Sequence, residues 1–270
     1  MLRPRLIASD LDGTLLRNDG TLSPRTLRAL RTAESAGAEI VLVTARPPRF
    51  VDRLADAAGF GGTAVCSNGA MVYDIGTRTV VSSCALPLTT ARRVATVLAA
   101  AVPGIGFALE TGNHILYEPA YRLRLSEDTG AELPVPSLAD LWLADVPVTK
   151  LLAWSDRLDA DALLAAAEAG AVDGVQLTHS GGRGLLEISA SGVTKAGTLS
   201  VLCAGRGIDA AEVVAFGDMP NDLSVLEWAG AGYAMGNAHP SVLAAIATHT
   251  LSNEEDGVAD VIERLFGAAR

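Results

Sequence analysis

Asp10-Leu11-Asp12-Gly13-Thr14 puts two carboxylates, a glycine and a hydroxyl into one short stretch, and Asp218-Met219-Pro220-Asn221-Asp222 puts two more carboxylates and an amide into another. Thr44-Ala45-Arg46 adds a hydroxyl and a cation. Were these segments to meet, their four carboxylates would repel one another. Two like charges about 4 Å apart cost about 1 kcal/mol in water and about 4 kcal/mol at the effective dielectric of a protein surface. A cation among them offsets that repulsion. Oxygen donors without His or Cys favour a hard ion, and a small donor set with room for water suits Mg²⁺. An EF-hand calcium loop fails on spacing: from Asp10 it needs Gly and Glu where Leu15 and Thr21 stand, and from Asp218 it needs Gly where Leu223 stands. Taken alone, Asp10 and Asp12 also fit a capped turn between a strand and a helix.

Lys195 is a second signal. Of 21 basic residues only Lys150 and Lys195 are lysines, so a generic surface cation in this chain is an arginine. A compact ammonium on a flexible stem suits a single phosphoryl oxygen among carboxylates, where a guanidinium fork would crowd them. A solvated lysine at a helix start is the other reading of this position.

The elements that must position these residues alternate between strand and helix. RLIAS (5–9) is a short apolar strand candidate. Ser23-Pro24 opens a helix through about Ala36, with Ser as N-cap, Pro in the first position and Gly37 as the stop. EIVLVT (39–44) is a near-continuous β-branched run, expected of a strand buried on both faces. A helix over about 48–58 and a strand TAVCS (63–67) complete a βαβαβ pattern and predict a parallel sheet. Near the C-terminus come helix 194–205, strand EVVAFG (212–217), helix 220–228, strand GYAM (232–235), helix 240–246 and helix 256–267. Ligands of open parallel sheets bind outside the carboxyl ends of the strands. Each acidic or hydroxyl segment above follows such a strand. The middle reads as runs of strands with helices set aside: helix 89–101, strands near 105–109 and 113–117, a Pro-punctuated stretch over 133–148, strand 148–154, helix 158–169, and strands 173–178 and 184–188. That pattern predicts an α+β insertion.

With 270 residues, 49% hydrophobic and 19% charged, the chain is of a globular class, long enough for one large domain or two modest ones. A net charge of −10 argues against nucleic acid, whose binding relies on clustered Lys and Arg. No apolar run approaches the roughly 20 residues of a membrane span, and Asp10 arrives before a signal-peptide core could form. Three widely spaced cysteines, Cys66, Cys84 and Cys203, fit a reduced cytoplasmic protein. His114, His179, His239 and His249 have no ligand-like spacing or evident carboxylate partner. Trp142, Trp154 and Trp228 read as packing anchors; 179–183 reads as a plain hairpin turn, with a flexible loop lining a substrate entrance as the other reading. Arg46 and Asn68 follow core strands, where contact with a leaving group and a salt-bridge or turn role are equally open.

DLDGTLL (10–16), VTAR (43–46), Lys195 in GVTKAGTL and FGDMPNDLSVLEWAG (216–230) occur in this order. With NGA (68–70), AMGNA (234–238) and SNEEDGVA (252–259), the sequence resembles the haloacid dehalogenase superfamily of phosphatases, in its Cof-type subfamily IIB sugar-phosphatase branch. Ala45 departs from the Gly usual there. The resemblance implies an α/β fold: a Rossmann-like parallel-sheet core over 1–83 and 186–270, and an inserted α+β cap of the C2B type over 84–185. It implies Asp10 as nucleophile, forming an aspartyl-phosphate, and Asp12 as general acid and then base. Mg²⁺ would be held by Asp10, Asp218 and the main-chain carbonyl of Asp12. Thr44, the Ala45 amide, Lys195 and Asn221 would hold the phosphoryl oxygens. Asp222 would support the metal through water or orient Lys195. An acid at position 12, absent from the superfamily's dehalogenases, points to phosphoryl transfer. The implied partner is a small phosphorylated metabolite, with a phosphosugar leading and nucleotides or pyridoxal phosphate open. Neither nucleic acid nor membrane is expected, and the chain is expected to be a monomer or weak homo-oligomer. A non-catalytic phosphate sensor and a sugar phosphomutase are the competing functions.

Overall fold

The computed structural model describes residues 3–123, 130–170, 173–181 and 184–267. Gly182 and Arg183 of the predicted loop lie outside the described residues. The described residues of Met1–Arg46, Val51–Val81 and Thr194–Arg270 form one compact unit, and those of Pro47–Phe50 and Ser82–Val193 another.

The first unit is built on β1 (Leu6–Ser9), α1 (Pro24–Ser35), β2 (Glu39–Val43), α2 (Pro48–Ala58) from Val51 onward, β3 (Thr63–Cys66), β4 (Met71–Asp74) and β5 (Thr79–Ser83) as far as Val81. As expected, Ser23 caps α1, its hydroxyl accepting from the Thr26 N–H at 3.0 Å, with Pro24 following. The second unit contains α3 (Leu88–Ala101), β6 (Gly106–Glu110), β7 (Ile115–Tyr117), β8 (Glu132–Pro134), α4 (Leu138–Leu141), β9 (Lys150–Trp154), α5 (Ala160–Ala169), β10 (Val175–Thr178) and β11 (Leu185–Ala190). The chain then returns to the first unit with α6 (Lys195–Gly205), β12 (Val213–Gly217), α7 (Leu223–Trp228), β13 (Ala231–Ala234), α8 (Pro240–Ala245) and α9 (Gly257–Phe266).

In the first unit the strand order is β13-β12-β1-β2-β3-β4-β5. From β13 to β3 the strands are parallel, and β4 adds on antiparallel to β3. The register places Ser9 beside Phe216 on one side and beside Leu42 on the other. Asp10, Thr44 and Asp218, which lie just past the ends of three neighbouring strands, therefore leave the sheet at the same edge. β1, β2 and β12, the strands that lead into these residues, are buried almost throughout, which is why they read as unbroken apolar runs. The sheet continues from β4 to β5, and neither strand is among those the sequence predicts.

The sheet of the second unit has the order β10-β11-β9-β6-β7-β8, antiparallel except where β7 meets β8. Its strands alternate. Phe107, Leu109, Leu151, Ala153, Leu186 and Ile188 pack with Ala91, Val94, Leu98, Leu163 and Ala167 of α3 and α5 into one core, while the residues between them face the other way. Trp142 packs against that core and Trp154 against a smaller cluster around Leu152. The expected join at 185/186 falls inside β11, whose pairing with β9 and β10 runs from Leu185 to Ala190. The units divide instead between Val193 and Thr194. The Pro-punctuated stretch contributes part of β8 and the short α4. Among the described residues no helix is long and apolar enough to cross a membrane.

Candidate active site

Asp10, Asp218 and Asp222 are buried at the carboxyl edge of the parallel sheet, each offering a carboxylate oxygen within 4.8 Å of the others. Lys195, the first residue of α6 and 1% exposed, lies between two of them: its Nζ donates to Asp10 Oδ1 and Asp222 Oδ1, both at 2.6 Å. Thr14 Oγ1 donates to Asp218 Oδ1 at 2.7 Å. Asp222 Oδ2 accepts the N–H groups of Asp218 and Met219, both at 3.0 Å. Both oxygens of Asp222 are thus in use. Asp10 Oδ2 and Asp218 Oδ2 accept no hydrogen bond among the described residues.

Gly13 makes this arrangement possible. It adopts φ +75°, and a Cβ there would lie 2.3 Å from Asp218 Oδ2. A side chain would be both strained and in collision with the carboxylate.

The charges are unequally stabilised. Burial pushes the Asp10 carboxyl well above the ordinary aspartate range; Lys195 pulls it back, and Asp222, Asp218 and Asp12 add to the rise. Burial, followed by Asp222, pushes Asp218 up to about 7 against the Thr14 hydrogen bond and Lys195. For Lys195 burial alone would favour the neutral amine, but Asp10 and Asp222 outweigh it and hold the ammonium above the ordinary lysine range.

The raised Asp218 value has a sign that can be tested. Between an unfolded value of 3.8 and a folded value of about 7, the folded state binds the extra proton, so this group's stability contribution is present at low pH and lost as pH rises. Metal-free protein is expected to melt at a lower temperature at about pH 7.5 than at about pH 5. Asp218→Asn should flatten that slope in thermal scans, and an unchanged slope would place the titration elsewhere.

Not every expected residue joins the carboxylate cluster. The structure gathers three of the four carboxylates. Asp12 is exposed, and its side chain makes a two-pronged ion pair with Nε and Nη2 of Arg46. Thr44 is buried just past the end of β2, its hydroxyl accepting from the Arg46 N–H at 3.0 Å, so its own hydrogen remains to donate. Ala45 is half-buried beside it. Asn221 donates to Asn68 Oδ1 at 3.0 Å, a partner that only the strand-end position of Asn68 hinted at. Asn253 donates to the Leu16 carbonyl and to Asn18 Oδ1, and Asn237 donates to the Gly13 carbonyl. SNEEDGVA and AMGNA thus anchor the Asp10 loop. Among the described residues no histidine joins the acidic group of Asp10, Asp218 and Asp222, although the His239 N–H donates to the Asp218 carbonyl at 2.7 Å; His179 lies 3.0 Å from Asp161, a carboxylate partner the spacing does not suggest.

A fold with this topology and a lysine shared between buried aspartates has known relatives. Residues 7–262 match the haloacid dehalogenase-like hydrolase family. The chain is 30% identical to the pyridoxal phosphate phosphatase YbhA of Escherichia coli (strain K12), covering 96% of this chain and 97% of that one. It is also 30% identical to the 5-amino-6-(5-phospho-D-ribitylamino)uracil phosphatase YitU of Bacillus subtilis (strain 168), covering 98% of each. A haloacid dehalogenase-like hydrolase from Bacteroides thetaiotaomicron superposes with a TM-score of 0.78 at 29% identity, over 97% of this chain and 100% of the other. The chain belongs to the haloacid dehalogenase-like hydrolase family. Within it, this is a Cof-type phosphatase, a hydrolase of phosphoric monoesters.

Proposed function

We propose that this protein is a Mg²⁺-dependent phosphatase of small phosphorylated metabolites, sugar phosphates foremost, working through an aspartyl-phosphate on Asp10. The observation that carries the reading is Lys195 bridging Asp10 and Asp222 while one oxygen each of Asp10 and Asp218 is left open. The donors that remain are all oxygens, and burial, which raises Asp10 and Asp218, disfavours their ionised forms, a cost that a hard cation would offset. The residues therefore fit the ion. Asp10, Asp218 and the Asp12 carbonyl would hold it, and Asp222 orients Lys195. When bound, Mg²⁺ supplies positive charge against the phosphoryl oxygens and the nucleophile.

The chain's own residues perform the rest. Thr44, the Ala45 amide, Lys195 and Asn221 hold the phosphoryl oxygens and set phosphorus in line with Asp10. The Asp10 carboxylate forms the new O–P bond as the ester O–P bond breaks, and Asp12 gives its proton to the departing alkoxide. Asp12, now ionised, takes a proton from water, whose oxygen attacks phosphorus and frees Asp10 and inorganic phosphate. To deliver a proton Asp12 must leave Arg46, so that ion pair is a resting arrangement.

The seven-stranded unit acts as the catalytic core and the six-stranded one as a cap that selects the leaving group. The two relatives above act, by name, on pyridoxal phosphate and on 5-amino-6-(5-phospho-D-ribitylamino)uracil, which supports a small polar leaving group. The protein works in the cytoplasm as a monomer or weak homo-oligomer. Hydrolysis of p-nitrophenyl phosphate should require Mg²⁺, vanish with EDTA and return on adding Mg²⁺ in excess. Undiminished turnover in EDTA would refute the metal assignment.

A further inference from the structure

Three left-handed residues in succession follow β3. Ser67, Asn68 and Gly69 have φ of +52°, +57° and +101°, and all three are buried. Left-handed backbone costs a side-chain-bearing residue about 1–2 kcal/mol, and such strain persists where the surroundings over-determine it. Here the surroundings are the strand-end segments of the site. The Ser67 N–H donates to the Arg46 carbonyl at 3.0 Å and the Asn68 N–H to the Thr44 carbonyl at 3.1 Å. Thr198 Oγ1 donates to the Gly69 carbonyl at 2.7 Å. A Cβ on Gly69 would lie 2.3 Å from the carbonyl oxygen of Thr194, the residue before Lys195. Asn68 Oδ1 accepts from Asn221 Nδ2 at 3.0 Å. One short turn therefore touches the segments that carry Thr44, Lys195 and Asn221. Within it and beside it, Ser67 Oγ and Asn221 Oδ1 are buried without a hydrogen-bond partner among the described residues.

We infer that the Ser67–Gly69 turn is the spacer that fixes the phosphate-holding groups relative to one another, and that Asn68 is a positioning residue acting through the Asn221 amide. With one N–H of Asn221 Nδ2 committed to Asn68, the amide plane is set and its second N–H has a single direction. The inference rests on the reading of Asn221 as a phosphoryl-holding group. If the turn merely connected β3 to β4, Asn68 would do no more than tolerate its φ, and glycine would do so at lower cost.

Asn68→Gly separates these roles, because it keeps the backbone conformation and the hydrogen bond to Thr44 while deleting the side-chain acceptor. With Mg²⁺ present, the melting temperature should match or exceed that of the wild type. KM for p-nitrophenyl phosphate and Ki for inorganic phosphate should both rise about 10-fold, as expected for one misdirected hydrogen bond. Asn221→Ala should raise Ki by about 100-fold, and the double variant should be no worse than Asn221→Ala, since both act through one amide. An unchanged Ki in Asn68→Gly beside an impaired Asn221→Ala overturns the inference alone, whatever the melting temperature. Losses that multiply in the double variant overturn it too, by showing that Asn68 acts independently. An unchanged Ki in Asn221→Ala overturns the reading of Asn221 and the inference with it.

Discussion

Asp10→Asn is expected to lower kcat for p-nitrophenyl phosphate by about 10⁴-fold or more with little change in melting temperature. The activity loss follows from the chemistry, because a neutral amide neither attacks phosphorus nor carries the phosphoryl group. The stability expectation follows from the electrostatics. Asp10 is buried with its carboxyl raised well above the ordinary range, and Asp222 and Asp218 press it further. At neutral pH its ionised form is an unfavourable charge in the folded state, compensated by Lys195. The amide removes that charge, and Lys195 keeps its 2.6 Å partner Asp222. Asp12→Ala should behave differently. A nitrophenolate leaves without a proton, so the loss on p-nitrophenyl phosphate should be smaller than on a sugar phosphate, whose alkoxide needs one. Equal losses on both substrates would remove Asp12 from the proton-donor role. Full activity in Asp10→Asn, measured with Mg²⁺ saturating, would remove the nucleophile itself.

The parts of this site that were legible in the sequence share a cause. Asp10, Thr44 and Asp218 follow strands buried on both faces, and such strands announce themselves as apolar runs whose ends are sharp. Lys195 was legible through composition: the chain has two lysines, and both prove to be buried against carboxylates, Lys150 lying 3.1 Å from Glu187 and Lys195 2.6 Å from Asp10. The same signal would have found Lys150. Other features depend on directions that residue order does not encode. The exposed Asp12 side chain goes to Arg46 because the guanidinium offers two parallel donors. The alternation of apolar and polar residues in β11, Leu186-Glu187-Ile188-Ser189, resembles a hairpin arm and masks where the inserted sheet ends. β8 has three residues and α4 four, too few for either period to register. The strain at Ser67 and Asn68 is invisible in a sequence whose Asn-Gly pair fits an ordinary turn equally well.

Lys195→Met should have the largest effect on stability. The ammonium is fully buried and holds Asp10 and Asp222 at 2.6 Å each. Its removal leaves two carboxylates desolvated and facing each other, with Asp218 close by. Breaking a buried pair by deleting one partner costs about 3–5 kcal/mol, a fall of roughly 6–20 °C in melting temperature for a unit of this size. The deficit should depend on pH in a defined direction. Lys195 is what lowers Asp10 against the effects of burial, and without it the carboxyl retains its proton to higher pH in the folded state. The variant's stability should therefore fall more steeply than that of the wild type between about pH 5 and pH 8, and its deficit should shrink on acidification. Lys195→Arg restores the charge but brings a planar fork into a space shaped for one ammonium. It should recover part of the melting temperature while kcat stays about 10²-fold or more below wild type. Recovery of both by arginine would mean that charge alone matters at this position. Recovery of stability without activity would identify the single-point geometry of the lysine as what the site requires.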